Sequence, residues 1–144
     1  MKDEVFLDTN IIAYAFDESD PNKKKICEEL VEKAFKGEIT GCVSNQVLGE
    51  LFMVLTKKVR RPVPKATARI VVESLIDSVN WVKINYDHNT VKKSIEKSRT
   101  INVPFWDILI TETMKENGIV KIYTENERDF KKIHEIKTIN PFKR

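Results

Sequence analysis

Short apolar runs alternate with longer stretches of helical periodicity along the whole chain, and that alternation leaves few folds open to it. Val5-Phe6-Leu7, Cys42-Val43 and residues 81–84, 119–123 and 136–139 read as strands. Between the first two, residues 22–36 repeat Ile26, Leu30, Val31, Ala34 and Phe35 at helical spacing, with Gly37 as a C-terminal stop. Ser44 or Asn45 caps a helix expected to run to about Lys58, Pro62 and Pro64 interrupt the pattern, and helix resumes from about Lys65 to Asp77. Asp87 caps a helix through Arg99, Pro104 opens another that stops at Gly118, and residues 126–133 form a short last helix. Strands this short and apolar suit a parallel sheet buried on both faces by amphipathic helices. The expected fold is a three-layer α/β/α sandwich around a mainly parallel sheet of about four to five strands, with residues 1–144 as one domain. In such sheets ligands bind beyond the C-terminal strand ends, so chemistry is expected on that rim.

Composition narrows the function classes. The chain is 41% hydrophobic and 33% charged with only 4 Gly and 5 Pro, which excludes disorder and low complexity. No apolar run approaches the ~18–20 residues that span a bilayer. The start, MKDEVFLDTN, places acids ahead of a very short apolar stretch, unlike a signal peptide, so a cytoplasmic protein is expected. Cys27 and Cys42 form no CxxC pair, and with only His88 and His134 available no zinc set can be assembled; buried free thiols are expected. GxxxxGK[ST] is absent, which removes nucleotide hydrolysis of that type. The net charge of +3 is mildly basic, with runs at 23–25, 57–61 and 131–132. Such runs more often mark a solvated helix face than a nucleic-acid contact.

Acids in apolar settings are the pointed feature. Asp8 follows the first strand at Asp8-Thr9-Asn10, where a cap or Asx turn is the plain alternative. Glu50, in QVLGELFMVL, lies at helical spacing from Val47 and Val54 and so borders the core face; it needs a cation or a path to water. Asp107 stands in FWDILI near a helix start, where favouring the positive helix end is the bland reading. No histidine, thiol or phosphate loop competes with these acids for a catalytic part. Converging carboxylates suit hard, oxygen-loving cations such as Mg2+ or Mn2+, and two such ions could serve phosphodiester cleavage.

FLDTNIIAYAFD, QVLGEL, NVPFWDILI and YTENERDF, in this order across nearly the whole chain, resemble the PIN-domain family, particularly the toxin ribonucleases of prokaryotic VapBC-type toxin–antitoxin pairs. The resemblance implies a metal-dependent endoribonuclease in which Asp8, Glu50 and Asp107 are the principal metal-binding acids. Thr9, Asn10 and Thr124 match supporting polar positions. Many members carry a fourth acid where this chain has Asn126; either Asn126 holds a water or Asp129 takes over, although a helix-capping or surface acid is the plainer reading of Asp129. Arg99, Lys57, Lys58, Arg60 and Arg61 are the residues expected to hold the RNA backbone. Such toxins commonly form homodimers and are held inactive by a small antitoxin.

Two other readings stay open. One is a PIN-like scaffold that has lost activity and binds RNA or protein, which the departure at Asn126 favours. The other is phosphoryl transfer through a nucleophilic Asp8, which lacks the second acid that a haloacid-dehalogenase motif would place at position 10. Tyr14, Phe16, Phe35 and Phe52 could offer apolar contact surface but are more often core.

Overall fold

Apolar strands too short to stand alone are buried here by pairing in parallel. The structure, a computed structural model, describes residues 3–143. Its sheet has five parallel strands in the order β3-β2-β1-β4-β5: β1 (Glu4–Leu7), β2 (Thr40–Ser44), β3 (Val82–Ile84), β4 (Lys121–Tyr123) and β5 (Lys137–Ile139). Among the described residues the sheet is flanked by α1 (Thr9–Tyr14), α2 (Pro21–Phe35), α3 (Asn45–Met53), α4 (Lys65–Asp77), α5 (His88–Ser98), α6 (Phe105–Glu116) and α7 (Glu127–Phe130). This is the α/β/α sandwich that the alternating pattern requires. The order places β2 and β3 on one side of β1 and β4 and β5 on the other, so the chain reverses direction across the sheet between β1 and β4. Crevices at such a reversal open at the C-terminal strand ends.

Local chemistry sets the element ends. Ser44 caps α3 by accepting from the Val47 amide at 3.2 Å, and Asp87 caps α5 in a capping box completed by Thr90. Gly37 ends α2 with a φ of +73°, a conformation that costs other residues a steric penalty. Phe6, Leu7, Ile11, Ile12, Leu51 and Ile108 are fully buried around the central strands. Tyr14, Phe16, Phe35 and Phe52 pack partly buried against that core. Cys27 and Cys42 are buried free thiols, both pushed up to about 12 by burial. No helix among the described residues is long and apolar enough to cross a membrane.

Several boundaries differ from expectation. Strands β4 and β5 begin later, at Lys121 and Lys137. The helix begun at Asn45 does not stay α-helical to Lys58: from Val54 to Lys58 it is a π-helical turn, closed by the Val59 amide on the Val54 carbonyl at 3.1 Å. Thr56 Oγ1 donates to the Phe52 carbonyl at 2.9 Å there, a competing bond of the kind that loosens an α-helical ladder. The last helix ends at Phe130, because Lys132 and Ile133 turn tightly onto Asp129 and Phe130 to bring the chain back into β5 with Ile133 buried. Trp81 precedes β3 instead of joining it, and its ring packs edge-on to Phe35 at 5.5 Å.

Gly41 in β2 makes that last contact possible. A Cβ at this position would lie 2.7 Å from Ala34 Cβ and 2.9 Å from the Trp81 ring, so α2 and the indole pack directly on bare backbone. Gly41→Ala is expected to destabilise the protein by about 1–3 kcal/mol through overpacking, read as a lowered urea midpoint. An unchanged midpoint would show that the contact is looser than its geometry.

Candidate active site

The parallel register brings the ends of β1 and β4 side by side, with Leu7 opposite Tyr123. Asp8 and Thr124, the next residue on each strand, are therefore neighbours on the C-terminal rim. The Asp8 amide donates to the Tyr123 carbonyl at 3.0 Å, which extends the sheet to the carboxylate itself. Asp8 Oδ1 accepts from the Thr9 amide at 2.8 Å and Oδ2 accepts from Thr124 Oγ1 at 2.7 Å. Burial raises the Asp8 pKa, and these two hydrogen bonds oppose the shift.

The other acids arrive on helices, Asp107 in a first turn and Glu50 farther along its helix. Asp107 lies in the first turn of α6, which opens directly after Pro104. It is pushed up to about 7, first by burial and then by the negative charges of Asp8, Asp129 and Glu50. Glu50 projects from α3, half-buried, and its Oε1 accepts from Gln46 Nε2 at 3.0 Å. Burial raises its pKa and the nearby Asp8 adds to the shift, while Gln46 and Lys58 oppose it.

Asn126 occupies the middle of the group. Its Nδ2 donates to Asp107 Oδ2 and to Asp129 Oδ2, both at 3.2 Å, and its backbone amide donates to Thr124 Oγ1 at 3.0 Å. One amide side chain thus ties two carboxylates together. Asp129 is not the surface acid expected from sequence: it is 7% exposed, because α7 is short and turns that side chain inward toward Asn126. Arg128 and Lys132 approach its Oδ1 only at 3.8 and 4.0 Å.

What these acids lack is a cation. Several enclosed acids elsewhere are paired: Glu112 has Lys115 at 2.8 Å and Lys97 at 3.6 Å, Glu127 has Lys131 and Lys143, and Glu125 has Lys23, while buried Asp17 is held by Ser19 alone among the described residues. Among the described residues no lysine, arginine or histidine lies within ion-pair distance of Asp8, Glu50 or Asp107. Unpaired buried carboxylates are costly, and a divalent cation is the group that their chemistry fits. No three His, Cys, Asp or Glu side chains among the described residues form a ready-made metal cage.

The remaining expected residues are spread more widely. Thr9 is buried with its hydroxyl unpartnered, and Asn10 is exposed. Lys58 and Arg60 line a cleft with Asn10 and Tyr14, and Lys58 is the cation that acts on Glu50 through space. Lys57 and Arg61 are exposed on the same segment. Arg99 follows α5, exposed and paired with Glu96 at 3.2 Å, and is not brought to the carboxylates.

Sequence reasoning missed the clamp behind the site. Glu125, between Thr124 and Asn126, accepts from Tyr14 Oη at 2.7 Å and from Lys23 Nζ. The Lys23 ammonium stands 4.9 Å from the Tyr14 ring centroid and 5.0 Å from that of Phe142. The clamp fastens the loop after β4 to α1, α2 and the C-terminal segment. Nothing local in sequence marks Lys23 as different from the basic run around it.

A model of the PIN domain matches residues 5–136. Among solved structures, the chain is similar to VapC20 of Mycobacterium tuberculosis, described as a Sarcin-Ricin loop cleaving toxin, at a TM-score of 0.70 and 17% identity over 90% of this chain and 95% of that one. VapBC2 from Rickettsia felis, crystallised with a DNA fragment from its promoter, matches at 0.61 and 20% identity over 95% and 98%. VapBC-1 from nontypeable Haemophilus influenzae matches at 0.62 and 19% identity over 97% and 99%. No curated protein sequence matches the chain significantly. At these identities the structural likeness is one of fold; the family model, spanning most of the sequence, shows that the chain belongs to the PIN-domain family.

Proposed function

We propose that this protein is a metal-dependent endoribonuclease, the toxin of a toxin–antitoxin pair acting in the cytoplasm, with Asp8, Glu50 and Asp107 as its catalytic carboxylates. The observation that carries the reading is that Asp8, Glu50 and Asp129 all act electrostatically on Asp107, while Asp8, Glu50 and Asp107 have no ion-pair partner among the described residues. Membership of the PIN-domain family and structural likeness to VapC20, described as an RNA-loop-cleaving toxin, support the substrate class. The likeness to VapBC assemblies supports an antitoxin partner, and a homodimer is part of the same reading.

Asp8 and Asp107 would hold Mg2+ or Mn2+, with Glu50 completing the site and Asn126 and Asp129 bordering it. Bound there, the cation supplies positive charge to the phosphoryl oxygens and acidifies a water. The chain's own groups do the rest. Thr9 and Thr124 fix both oxygens of Asp8, so its orientation is set before any ligand arrives. Asn126 holds Asp107 and Asp129 in one arrangement. Glu50 Oε2 has no hydrogen-bond partner among the described residues and accepts the proton of the attacking water. The water oxygen bonds to phosphorus, the phosphodiester P–O bond breaks, and the departing oxygen takes a proton from solvent. Lys57, Lys58, Arg60 and Arg61 hold the RNA backbone along the neighbouring cleft, Arg99 does so farther out, and that affinity weakens with salt.

Cleavage of structured RNAs with Mg2+ or Mn2+ and its loss with EDTA is the direct test. Asp8→Asn and Asp107→Asn are each expected to lower the rate by about a hundredfold or more, as loss of a group that stabilises transition-state charge does. Metal-stimulated cleavage that survives in both variants would place the chemistry elsewhere. RNA binding with no cleavage under any metal, in protein free of a bound inhibitor, would favour the inactive binding scaffold that Asn126 suggests.

The raised Asp107 pKa gives a second expectation. Between its ordinary value of 3.8 and about 7, the folded protein holds a proton that the unfolded chain has lost. Metal-free stability should therefore fall as pH rises through this window and level off above it. Asp107→Asn should remove ~1–2 kcal/mol of that fall, a figure reduced for water's screening of a half-buried group. Urea midpoints at several pH values in EDTA measure this; a midpoint that rises across the window for both proteins would refute it.

A further inference from the structure

The nuclease reading leaves unused the residue that directly precedes Asp107. Trp106 is 58% exposed, whereas the other tryptophan, Trp81, is 2% exposed. An indole left in water forgoes a large apolar burial. The packing of α6 does not require it, since that helix is already anchored by Ile108, Leu109, Ile110 and Met114. Nor is the ring on a loose segment. Phe105 packs against it edge-to-face at 5.4 Å, α6 starts at Pro104, and Lys132 Nζ donates to the Asn102 carbonyl at 3.0 Å in the loop leading in.

Position and charge point to one kind of occupant. Trp106 and Asp107 leave adjacent backbone positions in the first turn of α6, the indole exposed and the carboxylate half-buried. Cations lie near the same acids: Lys132 and Arg128 flank Asp129, which Asn126 ties to Asp107, and Lys132 also holds the loop leading into α6. Sites for single-stranded nucleic acid combine aromatic platforms with cations that follow the backbone, and unpaired bases stack on such rings.

We propose that Trp106 is a stacking platform for an unpaired base adjacent to the phosphate that is cut, so that this protein needs a single-stranded nucleotide at that place. The inference rests on the nuclease reading for the position of the phosphate, and its test does not depend on cleavage. A base inside a duplex is already stacked on both faces, so paired RNA cannot use the platform. A second copy of this chain is the other possible cover for the ring, and the test distinguishes it.

The experiment follows tryptophan emission of the full-length Asp8→Asn protein in Mg2+ during titration with a short oligoadenylate RNA or with an RNA duplex of the same length. Oligoadenylate is expected to quench the emission and the duplex is not. In that background Trp106→Ala should remove the quench and weaken oligoadenylate binding about tenfold or more, while Trp106→Phe loses the signal but stays within about threefold of the parent affinity. Unaltered Trp81 emission in both variants shows that the fold is intact. Equal affinity of the alanine variant, or equal quenching by the duplex, would overturn the proposal. So would a dimer that dissociates on Trp106→Ala while RNA affinity is unchanged, since the ring would then belong to a second copy. Quenching by oligoadenylate when the wild-type protein cleaves no RNA would sink the nuclease reading and leave the platform standing. Metal-dependent cleavage without quenching or loss of affinity would do the reverse.

Discussion

Carboxylates brought together away from bulk water repel one another, and the arrangement around Asp107 depends on that repulsion being withstood. Burial and the charges of Asp8, Asp129 and Glu50 together push Asp107 up to about 7. The same fold pairs some other enclosed acids with lysines, as at Glu112 and Glu125, so the capacity to pair acids is present. It is not used on the rim between β1 and β4. A charge deficit placed at one spot in a chain with net charge +3 is an invitation to a small cation.

Two kinds of support make the deficit tolerable. The first is the backbone hydrogen-bond ladder: parallel pairing of β1 with β4 sets Asp8 beside Thr124, and fully buried Phe6, Leu7 and Ile122 pack around those strands. The second is hydrogen bonding from neutral donors. Thr9, Thr124, Gln46 and Asn126 all donate to the acids without cancelling their charge. Asn126 is the instructive member. An aspartate there would add a further negative charge beside Asp107 and Asp129; the amide instead binds both. Behind it the Tyr14–Lys23–Glu125 clamp keeps the loop after β4 in place.

The layers of the sandwich were legible because periodicity and end signals agree: α4 spans Lys65–Asp77 as the residues around Pro64 imply, and Ser44 and Asp87 cap where their side chains allow. Asp8, Glu50 and Asp107 stood out as acids in apolar settings. What was not legible depends on contacts between residues far apart in the chain. Lys23 and Glu125 are separated by 102 positions, so a lysine in a basic run gives no sign that it grips an acid beside the site. Asp129 looked like a surface acid because residues 126–133 suggested a longer helix; the real α7 ends at Phe130 and turns that acid inward. The π-helical turn at 54–58 is equally silent in sequence, where the residues continue the helical pattern of α3; the Val63 amide donates to the Leu55 carbonyl there at 2.9 Å.

A cation site formed by these acids would exchange the Asp107 proton for metal. Isothermal titration with Mn2+ in two buffers of different ionisation enthalpy measures both binding and proton release. At about pH 6.5 the wild-type protein should bind Mn2+ and release up to about one proton, a release that fades by about pH 8.5 and is absent from Asp107→Asn. Mn2+ that fails to bind, or that binds with no proton release and equally well in Asp107→Asn, would contradict it.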